Sequence, residues 1–166
     1  EFGWSRASLT GAFSLALLVS GLAAPFVGRL LDRIGPRLPM TVGSLAATLL
    51  LLAWSRVTHL PAFYAVWAGL GLAMALVLYE PAFATLAKWF ERRRRQAITV
   101  LTLVGGLASV IFTPLNSWLI EWLGWRSALL VLAGALAVTT VLPHALLLRA
   151  PPVGPAQRAP TAAGEV

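Results

Sequence analysis

Apolar residues run along this chain in five stretches, at about 9–30, 38–56, 61–87, 97–120 and 126–148, separated by short polar joints at 29–39, 55–61, 88–96 and 121–126. At about 1.5 Å per residue, each stretch spans roughly 28 Å or more as a helix, enough for a hydrocarbon core about 30 Å thick. The pattern predicts an all-α, polytopic membrane protein with five transmembrane helices. Pro61 stands in the first turn of its segment, where a missing N–H costs nothing. Pro25, Pro81, Pro114 and Pro143 fall inside or near the ends of apolar runs and are expected to bend their helices. Residues 151–166, rich in Pro, Ala and Gly, carry no apolar periodicity and are expected to form a disordered tail.

Composition agrees with a membrane solvent. Charged residues make up 11% of the chain against 58% hydrophobic, whereas soluble domains carry about 25% charged residues. The net charge of +7 would suggest a nucleic-acid partner in a soluble protein. Here the basic residues cluster at the ends of apolar runs, so no nucleic-acid partner is expected. The absence of cysteine removes disulfide and thiolate chemistry. No metal-ligand spacing, glycine-rich phosphate loop or cofactor motif is present. His59 and His144 are isolated in sequence, and Ser14, Ser20 and Ser44 have no histidine expected at their depth, so an enzyme is disfavoured.

Charge asymmetry sets the orientation. Of thirteen basic residues, Arg29, Arg33, Arg37, Lys88, Arg92 to Arg95, Arg149 and Arg158 fall on one side of the five-segment scheme, and only Arg6, Arg56 and Arg126 on the other. The positive-inside rule then places residue 1 outside the cell membrane and the C-terminus in the cytoplasm. Trp4, Trp54, Trp118, Trp122 and Trp125 fall at outer ends and Trp89 at an inner one, as interfacial rings do. Trp67 lies mid-segment, where packing is the simpler reading and a ligand contact the alternative. Small residues four apart (Ala24 and Gly28, Gly43 and Ala47, Gly69 and Ala73, Gly105 and Ser109) predict close helix contacts.

The first joint concentrates the chemistry. Gly28-Arg29-Leu30-Leu31-Asp32-Arg33-Ile34-Gly35-Pro36-Arg37 places a carboxylate beside guanidinium groups and then reverses the chain at Gly35-Pro36. Asp32 is expected to end the first helix near the cytoplasmic surface, and Gly28 to admit a close neighbour. A solvated polar loop held by anionic lipid is the alternative reading.

The spacing Gly28-x-x-x-Asp32-Arg33-x-Gly35-x-Arg37 resembles the signature loop of the major facilitator superfamily, which joins that fold's second and third helices. Glu1 to Arg6, Trp89-Phe90 followed by Arg92 to Arg95, and Leu123-Gly124-Trp125-Arg126 are similar to the oxalate/formate antiporter and monocarboxylate transporter branch. The resemblance covers residues 1–150. It implies the second to sixth helices of a twelve-helix transporter, part of its N-terminal half, with the first helix and the C-terminal half as missing partners. It also implies that Asp32 locks one conformation against the other half, while Arg33 and Arg37 stabilise the loop. The Arg-x-x-Gln-Gly-like signature of proton-coupled members has no match around Gly69 and Gly71. The antiport-associated Gly-Pro motif is partial in Gly105-Gly106 and Thr113-Pro114, so no coupling ion or direction is implied.

Four further residues are candidates for substrate or proton coupling. Glu80 lies inside the third apolar run, where a charge costs about 2–4 kcal/mol. It should face protein or a water-filled cavity; the alternative is a protonated side chain bonded to backbone near Pro81. Tyr79 offers a hydroxyl to an anion or packs as an aromatic. Thr113 and Asn116, one turn apart, form a polar spot that binds either substrate or a neighbouring helix. Arg6 and Arg126 could draw anions to the outer face, and Arg92 to Arg95 are expected to contact anionic lipid. The function expected is secondary transport of a small solute, with a small carboxylate the leading substrate class, by alternating access in the intact protein. A non-transporting scaffold or truncated remnant associated with other membrane helices is the alternative.

Overall fold

A computed structural model describes residues 3–90 and 92–148. Its elements are α1 (Arg6–Ile34), α2 (Arg37–Trp54), α3 (Leu60–Val77), α4 (Tyr79–Trp89), α5 (Arg94–Leu136), a π-helical turn (Ala137–Val141) and α6 (Leu142–Leu146). The start of α1 is set by Ser5, whose Oγ accepts the Ser8 N–H at 3.1 Å, a capping bond that satisfies one orphan donor. Its end is set by Gly35 at φ 80°, whose N–H bonds the Leu31 carbonyl at 3.0 Å. Only glycine takes that dihedral without a Cβ clash, and α2 follows after Pro36. The tail 151–166, Glu1, Phe2, Glu91 and Arg149 lie outside the described residues.

The described residues form four long apolar helices, not the expected five: Arg6–Ile34, Arg37–Trp54, Leu60–Ala87 and Arg94–Leu146. The segments expected at 97–120 and 126–148 fall within one of these runs, as two helices that meet at a kink at Gly124. The polar joint read at 121–126 contains no loop. Gly124, at φ 74° and ψ 158°, is the one residue inside α5 with non-helical dihedrals. A single glycine at positive φ redirects a helix while its neighbours keep their hydrogen bonds, which a reading by hydropathy windows cannot distinguish from a connecting loop.

Proline acts unevenly on these helices. The third apolar segment breaks at Leu78, at φ −74° and ψ −157°, between α3 and α4. Pro81 supplies no N–H to the Val77 carbonyl, so the helix is weakest there. Pro25 lies within α1 and Pro114 within α5 without such a break. Just before Pro143 the helix widens, and the Leu142 N–H reaches the Ala137 carbonyl five residues back. Such a π turn re-pairs carbonyls that a proline leaves without a donor.

α3 is the central helix, packed on both α1 and α2. A Cβ at Gly71 would collide with the backbone of Ala16 on α1. One at Gly43 would stand 2.5 Å from Leu76 Cβ, and one at Gly69 3.0 Å from a Leu50 methyl. These approaches carry the small-residue packing expected, whereas Gly28 departs from it: a Cβ there would meet nothing within 4 Å. Near one end of the bundle Trp54 and Trp67 stand 4.9 Å apart, with Phe13 edge-on to Trp67 at 5.7 Å. Trp67 is therefore a packing aromatic, although its Nε1 is buried without a partner.

The outside of the bundle is apolar. Leu22 is 65% exposed, Phe26 68% and Val110 68%, and no residue in the most apolar window of the Arg94–Leu146 run is buried. Side chains of this kind on so many helix faces require lipid or other apolar helices around them.

Candidate functional site

The junction expected from sequence closes at one end of the bundle. Asp32 and Arg33 occupy the last turn of α1 and are exposed, and Arg29 lies over the Phe26 ring at 5.9 Å. Arg37, the first residue of α2, turns back across the bundle and its Nε donates to the Ala145 carbonyl at 2.8 Å. The block is therefore tied to the far end of the chain. A guanidinium on a terminal helix carbonyl satisfies an acceptor with no intrahelical donor and complements the dipole.

The opposite end carries the mirror of this contact. Arg126 donates from Nη1 to the Ser55 carbonyl and from Nη2 to the Val57 carbonyl at 3.2 Å, while its guanidinium lies 4.5 Å over the Trp125 ring. The helix after Gly124 thus runs antiparallel along α2. An arginine at the start of each takes up carbonyls at the end of the other. Arg126, expected as an outer-face anion attractant, has these donors engaged with backbone.

Between the two arginines lies a polar contact that the sequence reading missed. His144 Nδ1 is 2.6 Å from Ser44 Oγ and 3.3 Å from the Met40 carbonyl, and Ser44 Oγ donates to that same carbonyl at 2.7 Å. Ser44 Oγ, His144 Nδ1 and the Met40 carbonyl thus form one compact polar contact between α2 and the last helix. The expectation that Ser44 has no histidine at its depth is wrong, because the helix after Gly124 packs antiparallel on α2 and brings His144 level with Ser44. The pair is structural: Ser44 is fully buried, so no substrate reaches its oxygen.

The remaining candidates are dispersed. Tyr79 and Glu80 open α4 immediately after the break at Leu78, and their side chains lie outside the described residues. Thr113 is exposed on α5 and its carbonyl accepts from Ser117 Oγ at 3.2 Å. Asn116 is half-buried, with Oδ1 buried and unpartnered. A cleft of about 290 Å³ at the tryptophan-rich end is lined by Gly3, Trp4, Leu9, Trp54, Val57, Phe63 and Trp125. Among the described residues no three His, Cys, Asp or Glu side chains converge as a metal site.

Long apolar helices joined by charged turns, with polar side chains spent on interhelical carbonyls, define a polytopic α-helical membrane protein. The profile of the Major Facilitator Superfamily matches residues 1–165, and the chain belongs to that superfamily, a family of transporters and not of enzymes. The chain is 35% identical over 137 residues to rat monocarboxylate transporter 13, covering 81% of this chain and 31% of that protein. It is 36% identical over 140 residues to mouse monocarboxylate transporter 11, covering 82% and 30%. To human monocarboxylate transporter 14 it is 31% identical over 150 residues, covering 89% and 29%. The branch read from the motifs is therefore the branch of the relatives, and the chain spans about 30% of their length.

Proposed function

We propose that the protein carrying this chain moves a small solute across the cell membrane by alternating access, and that a small carboxylate is the solute. In this reading residues 1–150 belong to an N-terminal transporter half, with residue 1 outside and the Gly28–Arg37 block in the cytoplasm. Asp32 engages the other half in one conformation, and Gly28, Arg33, Gly35 and Arg37 shape the block. Glu80 exchanges the coupling proton, with Tyr79, Thr113 and Asn116 around the solute path. The observation that carries the proposal is the junction itself: Arg37 anchors it to Ala145, and Asp32 and Arg33 are solvent-accessible in the last turn of α1. The relatives' names supply the solute class, and the positive-inside count supplies the orientation.

The test is counterflow of labelled small monocarboxylates with the intact protein in liposomes. Asp32→Asn should slow exchange without loss of reconstitution, and Glu80→Gln should abolish the pH dependence of uptake. Undiminished pH dependence in Glu80→Gln would reject the coupling role. An intact protein that assembles in the membrane but moves no solute would favour the scaffold reading.

A further inference from the structure

α4 and α5 leave a groove of about 460 Å³ between them at the end where the basic run lies. Leu86 of α4 and Phe90, just past its end, form one wall; Ala97, Val100, Leu101 and Val104 of α5 form the other. The remaining lining residues, Arg93 and Gln96, are polar and lie at the α5 N-terminal end of this set. Arg92, Arg94 and Arg95 neighbour Arg93 in sequence and are exposed, but they do not line the groove.

Two properties restrict the occupant. From Arg93 to Val104 the helix rises about 16 Å, close to one leaflet of a hydrocarbon core about 30 Å thick. A free anion has nothing to offer such an apolar wall, and a neutral acyl chain has nothing to offer the arginines. A guanidinium presents a planar fork that fits phosphate oxygens, and the Gln96 amide adds a donor beside it. Between positions 88 and 95 the sequence holds five basic residues and one acidic one, which favours a headgroup with net negative charge.

We propose that this groove binds one anionic glycerophospholipid, with an acyl chain along α5 and its phosphate at Arg93 and Gln96. The site goes beyond a diffuse attraction between the arginine run and the membrane surface, because shape and charge act at one place. It requires only that this end of the bundle lie at a membrane surface, and so stands apart from the transport reading.

The test is native mass spectrometry of the intact protein offered equimolar phosphatidylglycerol and phosphatidylcholine. One phosphatidylglycerol should be retained in preference. Arg93→Gln should weaken its retention about fivefold, while Arg92→Gln, outside the groove, should change it less than about twofold. Ala97→Phe alters no charge but fills the groove, and should remove the preference. Thr99→Phe places the same ring on an exposed position outside the groove and should retain it. If Ala97→Phe fails to fold, Val104→Trp blocks the deeper part of the same groove and should have the same effect. Wild-type preference in a folded groove-blocked variant, equal retention of the two lipids, or equal effects of Arg92→Gln and Arg93→Gln would overturn the proposal.

Discussion

Replacing Gly71 by alanine should force α1 away from α3. The added Cβ would stand 2.8 Å from Ala16 Cα and 2.9 Å from its carbonyl carbon, whereas carbon atoms pack at about 3.5–4.0 Å. The obstruction is backbone, so no side chain can rotate aside, and α1 must retreat by about 1 Å. Overpacking of this kind costs about 1–3 kcal/mol, and the rigid obstacle places Gly71 at the upper end. Alanine returns about 1 kcal/mol as the better helix former, which leaves a net loss of about 2 kcal/mol. Gly21→Ala on α1 is the control: a Cβ there meets nothing within 4 Å, so it should gain up to about 1 kcal/mol. The two variants should therefore differ by about 3 kcal/mol, more than a hundredfold in unfolding equilibrium. Unfolding of the chain in mixed micelles, titrated with dodecyl sulfate and followed by tryptophan fluorescence, measures the gap. Equal midpoints for the two variants would refute the close α1–α3 approach.

Three other outcomes are expected. Arg126→Ala should cost about 2–3 kcal/mol in the same unfolding assay, since it removes charged donors from two carbonyls; Arg126→Lys should recover less than half, because an ammonium lacks the planar fork. Ser44→Ala should cost about 1–3 kcal/mol by leaving the inward ring nitrogen of His144 without its closest polar partner. For orientation, the native chain has no cysteine, so Arg56→Cys should react with an impermeant maleimide on whole cells while Arg33→Cys should not. The reverse labelling would overturn the proposed sidedness.

The hydropathy pattern located the helices because a bilayer allows few other ways to satisfy backbone hydrogen bonds. The end of α1 was readable to within a few residues because Gly35-Pro36 is a local signal. Residues 121–126 misled because a polar, tryptophan-rich stretch reads as a connection, while the structure changes only the dihedrals of Gly124. The His144–Ser44 contact was illegible because it joins residues separated by 100 positions, and its geometry depends on which helices lie antiparallel. Gly28 and Gly71 show the same limit from the other direction. Both are helical glycines in small-residue surroundings, yet only Gly71 meets a neighbouring backbone, since one turn of helix decides which face a residue shares.

The paired arginine caps also order events during synthesis. Arg126 lies 71 residues beyond the Ser55 carbonyl that it caps, and Ala145 lies 108 beyond Arg37. At about 5–20 residues per second, the end of α2 waits roughly 4–14 s for its guanidinium, and the start of α2 waits longer for its carbonyl. During that interval α1 and α3, already made, are the neighbours that hold α2 in place. The helix after Gly124 is the last of the described helices to be made, so a nascent chain stalled before it would leave the end of α2 without its guanidinium and Arg37 without its carbonyl. Such an intermediate should be the species most readily recognised by membrane quality control.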